Sequence, residues 1–404
     1  MDIPQYDLSY CDFSRLDDSE YAKEKHLKVK TSGRYRIVKY DRTFLNSSNI
    51  NTLGRFRSII VKEGKIRSFA PPKASSTDGF YAKYSTPESF DELTLEEYVE
   101  GTMINVFYDT DDDDWIVASR SLIGANGQFY QGGKTFRRMF LEAMNNSQLE
   151  LSDLNTDFCY SFVFQHPENR IVKKCKDAKL YLCAMYFINP DNSVSIMDYR
   201  HDVELCKKVN TPMNYSNAYP DKFTNWDEVC DVFANMETTP TPYDIAGVVV
   251  HHRGDKLRSK IRNPNNVFVR ELRGNQPKLQ FQYYCLRQTG RVGDYLRFYP
   301  EHADEFSNYR KQLHSFTNQL HVCYLDCYAR KTKPLREYPY ELRTHMFNLH
   351  KKYIDELRPD GKCVTMYEAM SYVNTMPPAK LMFTMNYKLR KQNVDDVTES
   401  RVIP

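Results

Sequence analysis

The sequence predicts an α+β fold: a strand-rich segment of antiparallel sheets with flanking helices, then an all-helical segment. Two observations carry this. Short β-branched and aromatic runs, punctuated by Gly, Asn and Asp, fill roughly residues 35–270. After Gly274 the apolar spacing changes to i, i+3, i+4. A chain of 404 residues is long enough for two cores, so the expected division is 1–274 and 275–404.

In order, the runs at 35–40, 58–62, 103–108, 115–119, 160–164 and 180–188 read as strands. Phe136, Met139, Phe140 and Met144 share one face of a helix, and a second helix is expected over 226–236. Further helices are expected over 294–299, 302–330, 338–357 and 365–373. In the second of these Phe306, Tyr309, Leu313, Phe316, Leu320 and Tyr324 form an apolar stripe. Thr365 with Glu368 reads as a capping box, and Pro334, Pro377 and Pro378 break segments.

The formal net charge is only +3, so a nucleic-acid surface would have to be a local patch. The aromatic residues read first as strand and core packing, with base stacking the alternative. The ten cysteines form no paired metal array; Cys323 and Cys327 have helical spacing. The N-terminus has no charged-then-apolar signal pattern, and no run reaches membrane-spanning length. An intracellular, cytoplasmic protein with reduced thiols is expected, with no membrane partner. The acidic run Asp109-Thr110-Asp111-Asp112-Asp113-Asp114 reads as a solvated hairpin turn, because it lacks the spacing of a calcium loop. Walker A, HExxH and GxSxG patterns are absent.

Five motifs, two of them made of two stretches, then follow one another in order. Phe56-Arg57-Ser58-Ile59-Ile60-Val61 is followed by Phe69-Ala70-Pro71-Pro72-Lys73. Tyr98-Val99-Glu100-Gly101-Thr102 is followed by Ser119-Arg120-Ser121. Residues 162–172 read FVFQHPENRIV, and residues 243–252 read YDIAGVVVHH. Last comes Arg258-Ser259-Lys260-Ile261-Arg262-Asn263-Pro264, with Lys256 extending the positive stripe. Strand alternation would put Lys260 and Arg262 on one face. Over about residues 35–270 this series resembles the phage-type RNA ligase 1 family of covalent nucleotidyltransferases, with degenerate motifs, as in a large-DNA-virus homologue.

The resemblance implies a nucleotidyltransferase (adenylation) fold with a helical C-terminal domain, an ATP and Mg²⁺ requirement, and RNA ends as substrate through a lysyl-adenylate. It implies nucleotide-binding roles for Arg57, Glu100, Gly101, Arg120, Lys260 and Arg262. Three positions depart from the family pattern. Tyr98 stands where the nucleophilic Lys belongs, Val163 where a Glu contacts the nucleotide, and Ala246 where a Glu supports the metal. A phenol cannot form a phosphoramidate and has a pKa of about 10. If the chain is active, Lys73 becomes the expected nucleophile. Asp244 becomes the expected metal substitute, on the assumption that it shares a strand face with Ala246. His251 and His252 read as partly exposed strand-end residues. The alternative reading is a catalytically degenerate ligase-like protein that binds RNA or nucleotide, or serves in an assembly.

Overall fold

The computed structural model describes residues 3–130, 132–218, 223–235, 241–390 and 392. The described residues before 263 form fourteen strands: β1 (Gln5–Tyr6), β2 (Leu27–Ser32), β3 (Tyr35–Tyr40), β4 (Ile59–Lys62), β5 (Lys65–Phe69), β6 (Leu93–Glu97), β7 (Thr102–Asp109), β8 (Asp114–Ser119), β9 (Leu122–Ile123), β10 (Phe158–Gln165), β11 (Lys179–Ile188), β12 (Val194–Met197), β13 (Gly247–His252) and β14 (Arg258–Arg262). They form a seven-stranded sheet (β1-β12-β11-β10-β7-β8-β9), a three-stranded sheet (β14-β13-β6) and a four-stranded sheet (β2-β3-β4-β5). Every strand pairing within them is antiparallel. The α+β class with antiparallel sheets, flanking helices and a helical C-terminal region is therefore the observed one.

The chain divides into two units, Met1–Glu271 and Leu272–Pro404. In the first, alternation along β10 separates two cores. Tyr160, Phe162 and Phe164 pack with Met139, Phe140 and Met144 of the helix Phe136–Asn146. Cys159, on the opposite face, joins the core under the four-stranded sheet, with Phe56, Ile60 and Phe69. A third core places Leu95, Val248, Val250 and Ile261 of the three-stranded sheet against Phe80, Trp226 and Phe233. The helix expected over 226–236 spans Trp226–Phe233, and Met236 lies outside the described residues.

The acidic hairpin corrects the solvated reading. Asp109 and Asp114 do close a hairpin. However, the Lys62 and Asp109 side chains are 1% and 0% exposed, with Lys62 Nζ 2.9 Å from Asp109 Oδ2. Tyr35 Oη also donates to Asp109, and Lys62 Nζ lies 3.2 Å from both Asp111 and Asp112. Arg67 adds a 2.7 Å bond to Asp111. The run is an ion cluster that fastens the four-stranded sheet to the β7–β8 hairpin.

In the second unit the described residues hold helices and turns and no strand. The main helices are Leu279–Gln288, Val292–Phe298, Ala303–Tyr324, Tyr340–Lys352, Met366–Thr375 and Pro378–Met385. Phe306, Leu313, Phe316, Leu320 and Tyr324 are buried as the stripe requires. Thr365 caps its helix through Glu368 N–H, but the Glu368 carboxylate turns to Lys352 Nζ at 2.7 Å, so the capping box is half made.

His345 is buried, bonded to Tyr372 Oη (2.9 Å) and Thr384 Oγ1 (3.1 Å). Burial, then Lys380, pushes its pKa down to about 4. The unfolded chain keeps an ordinary histidine near 6.5, so between these values the unfolded state binds more protons. Stability is therefore full above pH ~6.5 and is lost as pH falls towards about 4. We expect a loss on the order of 3 kcal/mol from this group, read by urea unfolding of the full chain at pH 7 and pH 4.5. His345→Gln should flatten that part of the profile.

Candidate functional site

The site residues come together through strand ends and one long-range crossing. The extended segment after β5 lies along β14: Ser75 N–H donates to Arg258 O at 2.8 Å, and Ser75 pairs with Ser259 as a parallel bridge. Lys73 N–H donates to Gly54 O at 2.9 Å. These bonds set Lys73 beside β14, where it lines a cavity of about 450 Å³ with Lys260 and Arg262. In β14, Ile261 is buried in the core, whereas Arg258, Lys260 and Arg262 alternate onto the other face.

Arg57 completes the cluster. Its guanidinium donates to Pro71 O at 3.4 Å. Burial, then Arg258 and Arg120, pushes its pKa down to about 10. The Lys260 ammonium is held well below the ordinary lysine range by burial, then by Arg258, Arg57 and Arg262. Lys73 is lowered by partial burial, then by Arg57, Arg262, Arg258 and Arg42. Lys39, which donates to Ser121 Oγ at 3.1 Å, is lowered by burial and then Arg120. Among the described residues, no carboxylate comes within ion-pair distance of Arg57, Lys73, Lys260 or Arg262. Such a field of uncompensated cations costs the free protein stability and favours a polyanion.

Tyr98 directly follows β6, beside these cations. Its N–H donates to Gly247 O at 3.1 Å, and Lys260 Nζ lies 3.7 Å from the centroid of its ring. The ammonium thus rests on the phenol face as a cation–π pair. Val163, on the face of β10 opposite Phe162 and Phe164, is buried in a small cluster with Val99 and Tyr181, flanked by Met103 and Cys183. Cys183 lies within electrostatic reach of Lys260 and Arg258.

Glu100 and Gly101 hold the neighbouring loop. Glu100 Oε1 accepts from Val172 N–H and Lys173 N–H, both at 2.9 Å. Gln165 Nε2 donates to Glu100 O and Asn169 Nδ2 to Thr102 Oγ1, each at 2.8 Å. Much of the 162–172 stretch is therefore explained by its attachment to residues 100–102. Glu100 Oε2 and Gln165 Oε1 are both buried without a hydrogen-bond partner, two acceptors suited to a ligand or water donor. The two motif glycines are required by close approach. A Cβ on Gly101 (φ +153°) would stand 2.4 Å from Phe164 O, and one on Gly247 (φ +124°) 2.1 Å from Ile261 O.

Two expectations that rest on strand alternation are corrected. β13 begins at Gly247 and Asp244 stands in the preceding turn, so strand alternation does not align Asp244 with Ala246. Lys256 does not extend the β14 stripe; it sits at φ +55° in the turn and donates to Gln5 O. His252 is buried and stacks on Tyr84 with 4.2 Å between ring centroids. His251 is half-buried and pairs with Glu96 at 3.3 Å. Arg120 is exposed, its carbonyl accepting from Ser58 Oγ at 3.1 Å. Sequence reasoning missed Glu96, Lys39 and Arg42. Glu96 pairs with Arg200 as well as His251, and these partners hold its carboxyl at about 2 although burial raises it.

The donor set does not fit a divalent metal. Ala246 is an apolar, buried residue, and Glu96 is occupied by Arg200 and His251, two strands away from Lys260. Among the described residues no group of three or more His, Cys, Asp and Glu side chains is placed to hold a metal ion.

A sequence search finds a protein 27% identical over 108 residues, 24% of this chain and 24% of that protein: an RNA ligase of Rhodothermus phage RM378. The chain is similar to phage-type RNA ligases. The match spans about a quarter of that relative's length. No family profile matches. Solved structures with some likeness include an archaeal ATP-dependent RNA ligase, 12% identical, TM-score 0.39, covering 75% of this chain and 74% of that one. A putative ATP-dependent DNA ligase from Aquifex aeolicus is 13% identical, TM-score 0.36, covering 83% and 79%. These superpositions are too loose to carry residue correspondences. No described helix is long and apolar enough to cross a membrane.

Proposed function

We propose that the chain is an RNA-ligase-like protein whose cleft binds the phosphates of ATP and of RNA, with adenylation at residue 98 lost. The observation that carries this reading is the set Arg57, Lys73, Lys260 and Arg262, which share one electrostatic cluster without a carboxylate partner. Guanidinium and ammonium groups bind phosphate by charge-assisted hydrogen bonds. The acidic side of the chemistry is missing: Val163 lies in an apolar cluster and Ala246 is buried. The sequence match to a phage RNA ligase supports the same class.

A second reading, an active ligase with a displaced nucleophile, is favoured by one contact. Lys260 Nζ lies over the Tyr98 ring, beside the expected nucleophile position. Lys73 is the other lysine of the cavity, but it is exposed and donates to Ala74 O at 3.1 Å. In that reading the lysine nitrogen attacks the α-phosphorus, the bond to the bridging oxygen breaks, pyrophosphate leaves and a phosphoramidate forms. Intact-mass spectrometry after incubation with ATP and Mg²⁺ decides between them, alongside an ATP-binding titration. The first reading expects saturable ATP binding and no AMP adduct. An adduct mapped to Lys260 or Lys73 would establish the second instead. No ATP binding at all would overturn both.

A further inference from the structure

We propose that this cleft takes its polyphosphate ligand free of divalent metal, with Lys260 and the surrounding arginines supplying the neutralising charge. The inference rests on the nucleotide-binding reading above and specifies the ionic form of the ligand. A triphosphate in a Mg²⁺-dependent site shares its charge between the ion and a carboxylate that holds the ion. Here neither half of that arrangement is provided. Ala246 has no oxygen to offer, and Glu96 is already in ion pairs with Arg200 and His251. Glu100 spends Oε1 on two backbone N–H groups of the neighbouring loop, and among the described residues no carboxylate lines the cavity of Lys73, Lys260 and Arg262.

The cations, in contrast, are in excess. Lys73, Lys260 and Arg262 line the cavity, and Arg57 and Arg258 lie within electrostatic reach of Lys260. Each repels the others in a partly buried setting, where charge interactions are stronger than in water. Adding a divalent cation would raise that repulsion and cancel part of the ligand's charge. A metal-free triphosphate relieves the repulsion directly. The overall charge of +3 shows that this is a local field and not a property of the whole surface.

The test is an isothermal titration of the full chain with ATP, once in EDTA and once in excess Mg²⁺. Inorganic tripolyphosphate serves as a second probe without a base. The proposal expects binding in EDTA as tight as in Mg²⁺ or tighter. Tripolyphosphate in EDTA should compete with ATP, and Lys260→Met should weaken metal-free binding about tenfold or more. Binding weakened threefold or more by EDTA would overturn the proposal while leaving nucleotide binding intact. Absence of binding in both buffers would overturn the nucleotide-binding reading, and this inference with it.

Discussion

Lys62→Ala is expected to destabilise the first unit by about 3–5 kcal/mol, the cost of leaving a buried charge without its partner. Lys62 Nζ is the centre of the cluster beneath the β7–β8 hairpin, within 3.2 Å of three carboxylates. The Asp109 side chain is fully buried, so the truncation leaves a buried carboxylate held only by Tyr35 and a backbone N–H. Burial raises the Asp109 pKa, but the bonds from Tyr35 and Lys62 outweigh it and the net shift is downward. Because the folded value lies below the unfolded one, the stabilisation is present above pH ~4 and disappears as pH falls through the folded value. Hydrogen exchange of β4 and β7 amides measures the effect locally, without assuming that both units unfold together. Lys62→Met with Asp109→Leu should recover most of the loss, because an apolar pair removes both charges. A Lys62→Ala loss below about 1 kcal/mol, the range of an exposed pair, would contradict the buried cluster.

This cluster also shows where the sequence stops being legible. Strands rich in β-branched and aromatic residues, such as β3 and β10, are readable from that composition, and the helix Phe136–Asn146 from its single buried face. The acidic run is not, because a row of aspartates looks hydrated until the four-stranded sheet closes over it with Lys62. β2 and β5 each carry Lys or Arg at two alternate positions and β6 ends on two glutamates, so these strands lack the continuous β-branched and aromatic runs that mark the others. In the helical region, Leu279–Gln288 and Pro378–Met385 are helices that the spacing alone did not indicate.

The candidate site was legible in its parts and not in its roles. The phosphate-side cations stand out as short motifs, and their convergence depends on Ser75 pairing with β14 far along the chain. Glu100 illustrates the other side. Its place in an E-G-T tripeptide suggests nucleotide contact, whereas its Oε1 secures the 172–173 backbone. The motif glycines remain because β10 and β14 leave no room for a Cβ, a demand of packing that outlasts any loss of chemistry. Asp244 was chosen from an alternation that begins three residues too late.

The most direct measurement is ATP affinity and thermal stability of Lys260→Met combined with Arg262→Ala. A charge-assisted hydrogen bond is worth about 1.5–3 kcal/mol, so losing two should weaken binding roughly 10²- to 10⁴-fold. The same substitutions remove like charges that lack carboxylate partners, so the melting temperature should stay level or rise. Affinity lost with stability kept is the signature of a binding site, and it separates this cluster from the Lys62 cluster, where stability itself falls. An affinity within threefold of the parent chain, or a collapse in melting temperature, would contradict the account.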